Sequence, residues 1–232
     1  MKKDKGFTLI ELMIAITILG LLLFTGSFVY STISNRWDQE LGEFNQHFDE
    51  ARSLILLQTL LSGVMPYVVR TDEQNDSLPT MFFVGDQDSL LAVSRGGLIN
   101  SEYPEIFRLT ALPNENDKFD LIYQSVSTQT TLLLNTLQEI EFLQRIVLMH
   151  DLDDIQFRYF GWPSFQSKNL STEENAAAQS WYVRYSGVDK QLNPEKIEVQ
   201  LTQGDKIIRF SVRLDESSQR FLEHYLSDLS EP

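Results

Sequence analysis

The chain carries no charge from Leu12 to Tyr30, and one carboxylate, Glu11, stands at the edge of that run. About 20 apolar residues are enough to span a bilayer. In lipid a lone segment must satisfy its own backbone, so this one must be helical. Asp, Lys or Arg at the centre of a membrane helix costs about 2.5 to 3.5 kcal/mol on insertion scales, and intramembrane charges are rare unless they pair or carry a function. Glu11 therefore calls for a partner. Lys2, Lys3 and Lys5 precede the run, which by the positive-inside rule puts the amino terminus in the cytoplasm and everything after Tyr30 on the far side.

The basic leader followed by Gly6-Phe7-Thr8-Leu9-Ile10-Glu11 resembles the type III signal of prepilins and type II secretion pseudopilins. That resemblance implies a membrane aspartyl peptidase that cuts between Gly6 and Phe7, a mature chain whose new Phe7 amine is N-methylated, and retention of the apolar segment. It also implies that Glu11 meets the Phe7 amine of a neighbouring subunit during assembly. The logic is physical: cleavage makes a cation one helical turn from a carboxylate, and a staggered neighbour can neutralise both. Removing either partner strands the other charge in lipid, so the pair acts as a register check as well as an attraction. A secretory signal peptide has a short apolar core ending in a small-residue cleavage site, and this run is too long and lacks that exit. A plain single-pass anchor explains neither Glu11 nor the Gly6-Phe7 junction.

Beyond the span, Trp37, Leu41, Phe44, Phe48, Ala51 and Ile55 recur at spacings of three and four with polar residues between them, which predicts one apolar helix face. No proline interrupts Phe7 to Met65, and Pro66 supplies a stop. Gly20, Gly26 and Gly42 mark bends or close helix contacts, or are tolerated at the surface. Runs rich in β-branched and aromatic residues predict strands at Thr80–Val84, Leu90–Ser94, Ile106–Leu112, Phe119–Gln124, Thr130–Asn135, Arg145–Met149, Ile155–Phe160 and Trp181–Tyr185. The clearest unit is a hairpin, Lys196–Thr202 and Lys206–Leu214, around Gln203-Gly204-Asp205. Its apolar Ile197, Val199, Leu201, Ile208, Phe210 and Val212 alternate with polar neighbours. A short helix is expected over Ser217–Leu226, and Arg70–Leu78 and Ser164–Ser180 read as mobile loops.

The expected fold is α+β: a long N-terminal helix, half transmembrane and half amphipathic, packed on antiparallel sheet. The expected order is a cleaved leader over residues 1–6, a membrane helix over 7–33, an amphipathic half over 34–66 and a periplasmic β-rich domain over 67–232. This layout, with the Phe157–Trp162 and Trp181–Tyr185 aromatics, is similar to the J-type minor pseudopilins of type II secretion; minor type IV pilins of the W-type and MSHA systems share the architecture. The resemblance implies a structural subunit of a periplasmic pseudopilus tip, anchored in the bacterial inner membrane. The partners it implies are other minor and major pseudopilins, the prepilin peptidase and the inner-membrane assembly platform.

A net charge of −14, which becomes −16 on loss of three lysines and one aspartate with the leader, argues against nucleic-acid binding. No cysteine is present, so no disulfide staples the fold. His47, His150 and His224 are scattered and there is no thiol, so no catalytic constellation is read and no cofactor is expected. Asp151, Asp153 and Asp154 form the one dense carboxylate cluster and are the candidate oxygens for Ca²⁺. They lack the glycine and terminal glutamate of an EF-hand loop, which favours a solvated strand entrance. The aromatics from Phe157 to Tyr185 read mainly as the buried face of a sheet, with a binding surface as the competing use.

Overall fold

The computed structural model describes residues 9–71, 78–99, 101–170 and 178–228, apart from the side chains of 35–47 and 226–228. The chain divides into two units, Met1–Arg52 and Ser53–Pro232. The first is helical throughout its described part, and α1 (Leu9–Ser62) ends within the second.

The predicted apolar face of this helix is corrected by the structure. Within the second unit Ile55 is 63% exposed, whereas Leu57, Leu60 and Leu61 are buried and Leu54 packs against them. Trp37, Leu41 and Phe44 lie among the side chains outside the description. Leucines at 54, 57 and 61 keep helical spacing too, so periodicity alone admits both faces and the sheet selects one.

The helix ends at Ser62, short of Pro66. Gly63 N–H donates to the carbonyls of Thr59 and Leu60 at 3.0 and 3.1 Å, and the chain then joins the sheet through Met65 N–H to Val93 O at 2.9 Å. A Cβ at Gly63 would stand 2.5 Å from Ser94 Oγ, so glycine at this position lets the chain leave the helix close against the sheet.

The second unit is built on two larger antiparallel sheets. The first has the order β10-β3-β4-β5-β6-β7, from β3 (Val84–Gly85), β4 (Ser89–Ser94), β5 (Glu105–Pro113), β6 (Phe119–Ser127), β7 (Gln144–Leu152) and β10 (Tyr185–Ser186). The second has the order β12-β11-β8-β9, from β8 (Asp154–Gly161), β9 (Ser180–Tyr182), β11 (Lys196–Gln203) and β12 (Lys206–Arg213). A small pair, β1 (Val68–Arg70) and β2 (Pro79–Met81), stands beside them. Short helices α2 (Phe165–Asn169) and α3 (Gly187–Lys190) and the terminal α4 (Ser218–Asp228) complete the elements.

Alternation explains the layering. Leu90, Phe107, Leu109 and Tyr123 from the first sheet meet Phe157, Tyr159, Ile197 and Val199 from the second, together with Leu57, Leu60 and Leu61, in one core. The opposite face of the first sheet is covered as well: Val93, Ile106 and Val126 pack with Val69, Phe82 and Leu133. The hairpin β11–β12 has the expected register, Ile197 opposite Val212 and Leu201 opposite Ile208.

Three strand expectations are corrected. Thr130–Asn135 is not a strand; it runs over the first sheet, buries Leu133, and touches β1 through Arg70 N–H to Leu134 O at 3.0 Å and Thr136 N–H to Arg70 O at 3.1 Å. Thr80–Val84 divides between β2 and β3, and Trp181–Tyr185 between β9 and β10, the latter pair lying in different sheets. A β-rich segment that turns a corner keeps its composition while changing its pairing partner. The start of the Ser164–Ser180 loop is α2, capped by Ser164, whose hydroxyl accepts from Ser167 N–H at 3.2 Å. Lys168 of α2 reaches Glu195 at 3.3 Å. The centres of both predicted loops, 72–77 and 171–177, lie outside the described residues.

Candidate assembly segment and the acidic corner

Leu9–Ser34 is long and apolar enough to cross a membrane, and its large apolar side chains are exposed within the chain. Its threonine hydroxyls are satisfied locally: Thr17 donates to Ile14 O at 2.9 Å, Thr25 to Leu21 O at 2.8 Å and Thr32 to Phe28 O at 2.9 Å. Back-bonding to the preceding turn is how a threonine enters lipid without an orphaned polar group. No side chain of the described chain approaches Gly20 or Gly26 within 4 Å of an added Cβ, so intrachain packing does not require glycine at either position. Glu11 lies in the first described turn of α1. Gly6 and Phe7 lie outside the described residues.

The three candidate calcium aspartates do not converge. They occupy the corner where the chain leaves β7 and enters β8 in the other sheet, with Asp151 at φ 56°. Asp151 Oδ1 accepts from Asn114 Nδ2 at 2.8 Å and Asn116 Nδ2 at 3.0 Å, both from the β5–β6 turn. Asp153 instead accepts from Gly204 N–H at 2.5 Å and pairs with Lys118 at 3.2 Å. Asp154 accepts from Gln156 Nε2 at 2.7 Å. Among the described residues, no group of three or more His, Asp or Glu is arranged to hold a metal ion.

Electrostatics follow these partners. Hydrogen bonds from Asn116 and Asn114 hold the Asp151 carboxyl below its ordinary pKa, and the Gly204 N–H, then Lys118, do the same for Asp153. Burial opposes ionisation of Asp120, yet bonds from Asn114, the Asp151 N–H and His150 outweigh it and lower that carboxyl as well. The corner is a carboxylate network closed by amides and one lysine. Asn114 and Asp120 were not singled out from sequence; the Asn114-Glu115-Asn116-Asp117 turn was the available signal.

The aromatic segment divides as its strand alternation requires. Phe157, Tyr159 and Tyr185 are buried, while Trp181 is 39% exposed and packs tilted against Phe160 at 5.2 Å between centroids. The hydroxyl of Tyr185 donates to Trp162 O at 3.2 Å. His150 is exposed beside Asp120 at 3.1 Å, and His224 packs on Tyr225.

Residues 1–26 match the model of the prokaryotic N-terminal methylation motif. No curated protein and no solved structure matches the chain. The matched motif, heading a helix that fits a single-pass membrane anchor and followed by antiparallel sheets, supports a structural, type IV pilin-like protein.

Proposed function

We propose that this chain is a minor pseudopilin, a structural subunit of the periplasmic pseudopilus tip in a type II secretion system. The prepilin-type methylation motif carries the reading. The large two-sheet domain adds support, since the J-type subunits that the sequence resembles are larger than major pseudopilins. Prepilin peptidase cuts between Gly6 and Phe7, the Phe7 amine is methylated, and the amino terminus stays cytoplasmic behind Lys2, Lys3 and Lys5. The domain then lies in the periplasm, its helix anchored in the inner membrane beside other pseudopilins and the assembly platform.

Mass spectrometry of the chain from cells with active prepilin peptidase tests the processing: the mature protein is expected to start at Phe7, and a chain retaining Met1–Gly6 overturns it. Deleting the gene separates the two filament systems. Periplasmic retention of normally secreted proteins with surface pili intact is expected; loss of pili with secretion unchanged assigns the chain to a type IV pilus instead.

A further inference from the structure

We propose that the open edge of β12 is a docking site for an extended acidic segment of a partner protein, which adds to the second sheet as a further strand. The inference does not depend on which filament the chain serves. Strand β12 pairs with β11 through eight consecutive residue pairs, Gln203↔Lys206 to Lys196↔Arg213, without a register shift. Among the described residues, no backbone group of β12 residues 207–213 bonds to any element other than β11. Its outer edge therefore presents a row of unmatched N–H and C=O groups, the template used in strand addition. Two of the other edges are shorter, and β7 pairs with β6 through register shifts. β9 and β10 are three and two residues long, and the end of β7 is engaged by Gln203 Nε2, which donates to His150 O at 3.4 Å.

Charge selects the occupant. In a chain of net charge −14, β12 carries Lys206, Arg209 and Arg213 and no acid. Arg209 and Arg213 share the solvent face with Ile207, which is 63% exposed. Arg209, exposed on that face, donates through Nε to Gln200 Oε1 of the neighbouring β11 at 3.1 Å. Arg213 sits opposite Lys196, and neither forms an ion pair among the described residues. A second copy of β12 would bring arginines against arginines, which disfavours self-pairing. Anionic lipid or nucleic acid would meet the charge and leave the backbone row unmatched, whereas a polypeptide strand meets both.

Register sets the partner's pattern. Acidic residues at i and i+4 fall beside Arg213 and Arg209, about 13 Å apart along the strand, and apolar residues at i+1, i+3 and i+5 cover the half-buried edge of Phe210 and Ile208.

The test uses the full chain in detergent micelles and a fluorescent peptide of about ten residues with glutamate at i and i+4 and valine at i+1, i+3 and i+5. Anisotropy is expected to show saturable binding, and hydrogen exchange to slow at residues 206–213 when the peptide is present. Arg209→Glu with Arg213→Glu is expected to weaken binding about tenfold or more, and a peptide carrying lysine at i and i+4 to recover it. The same peptide N-methylated at alternate backbone nitrogens, which needs no change to the protein, is expected not to bind. Equal binding of the N-methylated peptide overturns the proposal in favour of charge attraction alone. Absence of binding by the acidic peptide, with or without arginine-dependent capture of anionic vesicles, overturns it too.

Discussion

A side chain at Gly85 would stand 2.3 Å from Cζ of Tyr159, so the first sheet can receive the buried tyrosine of the second only because position 85 has no Cβ. The Tyr159 hydroxyl then donates to Asp86 O at 2.8 Å and Ser89 O at 3.2 Å, and its ring meets Phe83 edge-on at 5.7 Å. This joint fixes the spacing of the two sheets. Burial drives the Tyr159 phenol well above its ordinary pKa, so it stays a donor through the physiological range.

Gly85→Ala is expected to destabilise the chain by about 1 to 3 kcal/mol through overpacking, and Tyr159→Phe by about 1 kcal/mol through the lost hydrogen bond. Gly20→Ala, where nothing lies within 4 Å, is the control expected to leave folding unchanged. Denaturant titration in detergent reads all three; a Gly85→Ala curve superimposable on the wild type would remove Tyr159 as the cause of the glycine.

The helix face is tested by two leucine-sized changes. Leu60→Ala, at a buried site, is expected to cost about 2 to 5 kcal/mol. Ile55→Ala, at a site 63% exposed, is expected to stay within about 0.5 kcal/mol. A reversed order would restore the stripe through Ile55 and refute the packing seen in the structure.

Acid is expected to destabilise the second unit through the corner. The Asp120, Asp151 and Asp153 carboxyls have depressed pKa values in the folded chain, so their contribution is present above the unfolded value of about 3.9 and lost as pH falls through the folded ones. Melting temperature should therefore fall below about pH 4, and Asp120→Asn with Asp151→Asn should flatten that part of the profile. Parallel profiles for variant and wild type would show that these pairs do not couple to folding.

If Glu11 has the proposed assembly role, Glu11→Ala is expected to ease membrane insertion, leave the second unit folded and weaken docking to neighbouring pilin-like helices, because the charge proposed to specify register is gone. At the end of a filament the effect is softer, since a terminal subunit lacks one neighbour. Crosslinking between transmembrane segments, with secretion measured in parallel, reads it; full crosslinking and full activity in the variant would make the carboxylate dispensable.

Some of this protein is written in short stretches of chain. The uncharged run after Glu11 determines a helix of membrane length, because lipid admits no other way to satisfy a single segment's backbone. The alternation in Lys196–Gln203 and Lys206–Arg213 determines a hairpin and its buried face, because side chains change sides at every residue. Tertiary structure decided what depends on contacts distant in sequence. Which helix face is buried followed from the sheet that meets Leu57 and Leu60, and the need for glycine at 63 followed from Ser94 beside it. The division of Trp181–Tyr185 between two sheets and the parting of Asp151, Asp153 and Asp154 to separate partners came from corners where the chain changes sheet. Local pattern carries the period of an element and the side it hides; the partner that covers that side is chosen by packing among segments far apart in the chain, which no single window of sequence contains.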